Sequence, residues 1–70
     1  MFYKHQEVPE NAVTEARKAK KFTQADLAER VGVTRQTIIA IEKGNYTPSV
    51  LLALKLAQAL KKTVEELFWL

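Results

Sequence analysis

Seventy residues at 47% hydrophobic content suit one small domain whose core is limited and whose stability is marginal. There is no cysteine, which excludes a disulfide framework and a thiolate metal site, and the single His5 cannot by itself assemble a metal site or a catalytic pair. Net charge is +3; it is concentrated between residues 17 and 43, where seven Lys/Arg face three Asp/Glu, while the remainder of the chain sums to −1.

The first ten residues, MFYKHQEVPE, hold no apolar run, and the richest run, VLLAL, is stopped by Lys55. No secretory or membrane segment is expected, and the protein is expected in the cytoplasm. Residues 1 to 9 read as an arm: either a frayed terminus or an extended segment that packs Phe2 or Tyr3 on the domain or on a second subunit. The domain is expected over residues 10 to 70.

A first helix is expected from about Glu10 to Lys20, with Pro9 near its start. Glu10 and Glu15 lie early and Arg17, Lys18, Lys20 and Lys21 late, as the helix dipole favours. Its apolar face is thin: Ala12, Val13, Ala16 and Ala19. The run RKAKK reads as a solvated helix end or as a set of phosphate contacts. Phe22 closes the connection as a core anchor.

The stretch that carries the most information is TQADLAERVGVTRQTIIAIEK, Thr23 to Lys43. Thr23 is a good N-cap, and Asp26 three places later offsets unpaired amides and the dipole. Leu27, Ala28 and Val31 make an apolar stripe in which Ala28 is small enough for another helix to cross closely. Gly32 stops this helix by taking the left-handed backbone, Val33 plugs the corner, and Thr34 caps the next helix. At about 100° per residue, Ile38, Ile41 and Glu42 of that helix turn toward the core. Gln36, Ile39, Ala40 and Lys43 turn outward and Arg35 projects from the first turn, so the outer face is small, polar and cationic.

GNY supplies the following turn, with Gly44 as a left-handed cap. Pro48 and Ser49 start a helix over Val50 to about Leu60, with Leu52, Ala53, Leu56, Ala57 and Leu60 inward and Lys55 and Gln58 outward. Leu51 falls between those two polar positions and Leu54 adds further apolar surface. Thr63 and Glu66 form a capping box for a last short helix, VEELF, whose Leu67 and Phe68 should close the core. Trp69 and Leu70 either pack on the domain or meet a second subunit.

The pattern resembles the helix-turn-helix of the lambda-repressor-like (Xre/Cro-type) DNA-binding family. The resemblance is carried by Gln24, Leu27, Ala28, Val31, Gly32, Val33, Ile38 and Ile41, within a motif at 24–43. It continues through GNYTPS and ELF to Phe68. It implies an all-α fold, a compact five-helix DNA-binding domain with an N-terminal arm, and no cofactor. The sequence departs from the family at Ala16, where a large aliphatic residue is common, at Leu51, commonly polar, and at Lys61 and Lys62, often Gly and an apolar residue.

The function implied is sequence-specific binding of double-stranded DNA by a small transcriptional regulator, expected to be a repressor. Arg35 can pair with guanine and Gln36 with adenine, each through two hydrogen bonds, and Ile39 and Ala40 can meet thymine methyls. Family analogy puts Thr23, Gln24, Thr34, Thr37, Lys43, Asn45 and Tyr46 near phosphates, and pairs Arg17 with Glu42 as a structural ion pair. One helix reads too few base pairs to find a genomic site, so a homodimer is expected, with Leu51, Leu54, Trp69 and Leu70 as its candidate surface. The alternative is a protein-binding module on the same fold, such as an antitoxin with a toxin as partner. An enzyme is disfavoured, because the sequence holds no phosphate loop and no obvious catalytic group.

Overall fold

The computed structural model describes residues 7–70. Within them the chain runs β1 (Glu10–Asn11), α1 (Val13–Ala19), α2 (Gln24–Val31), α3 (Arg35–Glu42), α4 (Val50–Leu60), α5 (Val64–Leu67) and β2 (Phe68–Trp69). Five helices and one two-residue ribbon make the expected helical class. Most of the expected arm, with Phe2, Tyr3 and His5, lies outside the described residues.

Helix starts follow from local side-chain chemistry. The hydroxyls of Thr23, Thr34, Ser49 and Thr63 each accept the backbone N–H three residues on, at 2.9, 3.3, 3.1 and 3.1 Å. At Thr23 and Thr63 the carboxylates of Asp26 and Glu66 reach back to the cap N–H, both at 2.9 Å, completing capping boxes. Those hydrogen bonds hold both carboxyls below their ordinary range; the largest cause in each is the bond from the cap backbone.

Helix ends share a second device. After α2 the N–H of Val33 returns to the Ala28 carbonyl at 3.0 Å, with Gly32 left-handed at φ 76°. After α3 the N–H of Asn45 returns to Ala40 at 2.9 Å and that of Gly44 to Ile41 at 3.0 Å, the paired closure that leaves few carbonyls unmet. After α1 and α4 the same closure is made by lysines: Lys21 at φ 60° and Lys61 at φ 56°. A Cβ in that conformation costs roughly 1 kcal/mol or more, partly offset here by a cation beside a helix C-terminus. Lys61→Gly is therefore expected to stabilise the domain by about 0.5–1 kcal/mol in a urea titration, once glycine's own entropy cost is subtracted. Unchanged or reduced stability would show that the lysine aliphatic stem or charge outweighs the backbone strain.

The helices bury one another's apolar faces. Val13 of α1, Leu27 of α2, Ile38 and Ile41 of α3, Leu56 and Leu60 of α4 and Leu67 of α5 are the largest fully buried side chains, so every helix contributes to one centre. Phe22, Val33, Val64 and Phe68 pack around it half-buried. Arg30 lies over the Phe22 ring, 4.1 Å from its centroid, a cation–π contact at the edge of the core.

Four expectations need correction. The first helix starts at Val13, not Glu10, because Glu10 and Asn11 pair antiparallel with Trp69 and Phe68 and Ala12 N–H donates to the Leu67 carbonyl at 2.9 Å. Glu10 thus lies outside the helix and only Glu15 sits in its first turn. The last helix stops at Leu67 for the same reason, since Phe68 and Trp69 have turned extended to make the ribbon. Ala19 is exposed and Ala53 only half-buried, although both had been read as inward; the α1 core face narrows to Val13 and Ala16.

Candidate nucleic-acid interface

Helices α2 and α3 meet at the Gly32–Val33–Thr34 corner, with Thr34 extended at φ −80° so that α3 starts in a new direction. Ile38 and Ile41 anchor α3 in the core at 0% and 1% exposure, which leaves the opposite side to solvent. Arg35 and Gln36, the first two residues of α3, are exposed, and so are Lys43 and Asn45 past its end. Ile39 and Ala40 are half-buried, so their side chains lie at the margin of the outer face and leave the first turn as its most open part. Thr23 and Thr34 are exposed with their hydroxyls engaged as caps, and Thr37 is half-buried with its hydroxyl 3.2 Å from that of Thr34. Tyr46 is 45% exposed on the segment leading to α4.

The acid of α3 is removed from this surface. Arg17 Nε donates to Glu42 Oε2 at 2.7 Å and its second terminal nitrogen donates to Oε1 at 3.3 Å, with side-chain exposures of only 11% and 6%. The remaining Arg17 nitrogen donates to the Phe22 carbonyl at 2.8 Å, so the guanidinium spans α1, the α1–α2 connection and α3. Gln24 Nε2 also donates to Glu42 Oε1, at 3.0 Å. Burial by itself would raise the Glu42 carboxyl. The hydrogen bonds from Arg17 and Gln24, the Arg17 charge and the Thr14 hydroxyl outweigh it and hold the carboxyl below its ordinary range.

Two of these links were not legible in the chain. Gln24, read by family analogy as a phosphate contact, has one amide hydrogen committed to Glu42. Asn11 had no reading, yet its side chain accepts the Val13 N–H at 3.1 Å and donates to the Ile41 carbonyl at 3.0 Å. The available signal was an asparagine just ahead of a helix, a residue whose short side chain readily bonds the backbone amide two residues on.

A separate apolar surface lies on α4 and the C-terminal end. Leu51 is 63% exposed, Leu54 52%, Trp69 47% and Leu70 fully so, and Val50 at 77% adds to the α4 stripe without having been singled out. Among the described residues no group of three His, Cys, Asp or Glu could hold a metal ion, and no helix is long and apolar enough to cross a membrane.

A family model described as helix-turn-helix matches residues 13–67. An uncharacterized HTH-type transcriptional regulator of Bacillus subtilis, YgzD, is 53% identical over 60 residues, covering 86% of this chain and 91% of its own. Another HTH-type transcriptional regulator, from Methanothermobacter thermautotrophicus, is 56% identical over 57 residues, covering 80% and 83%. Among solved structures, the restriction-modification controller protein C.AhdI from Aeromonas hydrophila superposes with a TM-score of 0.72 at 35% identity, over 77% of this chain and 82% of that one. The biofilm master regulator SinR, solved in complex with DNA, superposes with a TM-score of 0.70 at 30% identity over 76% and 86%.

Proposed function

Since this chain belongs to the lambda-repressor-like helix-turn-helix family, we propose that it regulates transcription by binding double-stranded DNA, with α3 in the major groove. The observation that carries this reading is the division of α3. Its acid is neutralised on the buried side by Arg17, while Arg35 and Gln36 stand exposed in its first turn with donors suited to purine edges.

In this reading Arg35 pairs with guanine and Gln36 with adenine, and Ile39 and Ala40 approach thymine methyls from the margin of the face. Thr23, Thr34, Thr37, Lys43, Asn45 and Tyr46 flank the helix and meet phosphates, and Gln24 joins them through its second amide hydrogen. Phosphate contacts fix register and orientation; base contacts supply the selectivity. Bound at a promoter, such a protein acts as a repressor by occupying the duplex.

The working unit is a homodimer on a pseudo-palindrome, its half-sites about 34 Å or one helical turn apart. The exposed Leu51, Leu54, Trp69 and Leu70 supply the apolar surface such an interface needs, and self-association adds stability to a core of this size.

The test is selection from a pool of random duplexes, followed by salt titration on the selected site. A pseudo-palindromic consensus is expected, with affinity falling linearly in log–log form as salt rises. Lys43→Ala is expected to weaken all duplexes alike and to reduce that slope by about one per domain. Failure to enrich any sequence would overturn the reading, and salt-independent association would point to the protein-binding alternative.

A further inference from the structure

We propose that Asn11 is a positioning residue for DNA readout, holding the end of α3 so that its first turn is correctly aimed; this rests on α3 being the base-reading element. The side chain of Asn11 is shared between two helices distant in sequence. Its Oδ1 accepts the Val13 N–H at 3.1 Å and so caps the first turn of α1, while Nδ2 donates to the Ile41 carbonyl at 3.0 Å, in the last turn of α3. That carbonyl already accepts the Gly44 N–H at 3.0 Å, so the amide takes its second lone pair.

The next residue, Glu42, is held through its side chain by Arg17 and Gln24. Backbone and side chain at the C-terminal end of α3 are therefore each tied to a different part of the domain. The first-turn residues lie about 9 Å along the axis from this restraint, so a tilt of roughly 6° about it displaces them by about 1 Å. Two-bond pairing of Arg35 or Gln36 with a base edge does not survive such a displacement intact.

Asn11 is itself fixed by the ribbon. It stands opposite Phe68 in the β1–β2 pair, and the neighbouring Ala12 N–H is bonded to the Leu67 carbonyl at 2.9 Å. The aim of α3 thus depends on a contact between the two ends of the domain that no capping role for α1 alone would require.

Asn11→Ser in the full chain separates the two roles. Serine keeps a neutral oxygen that can cap α1 but has no amide to reach Ile41. The variant is expected to unfold within a few degrees of the wild type, to lose roughly fivefold to tenfold in affinity for the selected site, the worth of about one hydrogen bond, and to bind an unrelated duplex unchanged. Amide exchange at Gly44 and Asn45 should quicken. In the wild type, the Asn11 side-chain amide proton that faces the Ile41 carbonyl should be protected from exchange; this measurement needs no variant and stands even where the serine chain unfolds.

Wild-type selectivity retained in Asn11→Ser, an equal loss on both duplexes, or no protection of the Ile41-facing Asn11 amide proton in the wild type would each overturn the positioning role. A wild-type chain that prefers no duplex would instead overturn the reading of α3 on which it rests.

Discussion

Arg17→Ala is expected to lower the unfolding free energy by about 3–5 kcal/mol, a large part of what a 70-residue domain has. The reason is what the substitution leaves behind. Glu42 stays at the α1–α3 boundary, its side chain 6% exposed, with the neutral donors Gln24 and Thr14 in place of a charged pair. The Phe22 carbonyl also loses the donor that ties the α1–α2 connection to α1. Urea titration measures the loss, and a change under about 0.5 kcal/mol would mean that solvent reaches both groups.

The pH profile supplies a second, independent reading of the same substitution. In the wild type the folded Glu42 carboxyl is held below its unfolded value, so its contribution is present above the ordinary glutamate range and is lost as pH falls through the lower folded value. Asp26 and Glu66 shift in the same direction and share that acid limb. Without Arg17, burial is opposed only by the hydrogen bonds from Gln24 and Thr14, and the Glu42 carboxyl moves up from its wild-type value. The acid-limb contribution of Glu42 then shrinks, so the difference between variant and wild type should widen as pH rises from below the ordinary glutamate range to above it. A difference independent of pH would place the loss in packing of the arginine stem.

The second large effect concerns recognition. Arg35→Ala and Gln36→Ala are each expected to cost about 1–3 kcal/mol on the selected duplex, between roughly fivefold and 150-fold in affinity, and to relax preference at one base pair. In a dimer each lesion occurs twice, so the loss on a full pseudo-palindrome should exceed that on one half-site. Both side chains are exposed, so melting temperature should stay near that of the wild type. Only the arginine change should also reduce the salt dependence, since glutamine carries no charge. Full specific affinity in both single variants would remove α3 from the role of reader.

Both effects depend on an arrangement that the chain disclosed unevenly. Leu51 was legible as an apolar residue on a polar stripe, because position on one helix is a matter of period, and Leu54 as surplus apolar surface. Val50 beside them was passed over as a helix start, and only the packed domain shows it at 77% exposure. The pairing of Arg17 with Glu42 came from family resemblance; helical period alone said only that Glu42 lay toward the interior.

What the sequence by itself determined is the local grammar: where α2, α3, α4 and α5 begin, where α2 and α3 stop, and which faces of α2 and α3 turn inward. Each such decision is made within about four residues, by a hydroxyl reaching an amide three places on or by a glycine relieving one backbone angle. Tertiary structure decided what joins distant segments. Pro9 and the early acids suggested that α1 begins at Glu10, but Glu10 and Asn11 pair with Trp69 and Phe68 once packing brings the ends of the domain together. Lys21 and Lys61 accept a left-handed backbone because the helices they connect must turn there to bury Phe22, Leu60 and Leu67. Gln24 and Asn11 acquire their partners, Glu42 and the Ile41 carbonyl, only when α3 is seated. A hydrogen bond across thirty residues leaves no periodic trace in the chain, because neither partner can be satisfied until the fold has placed both.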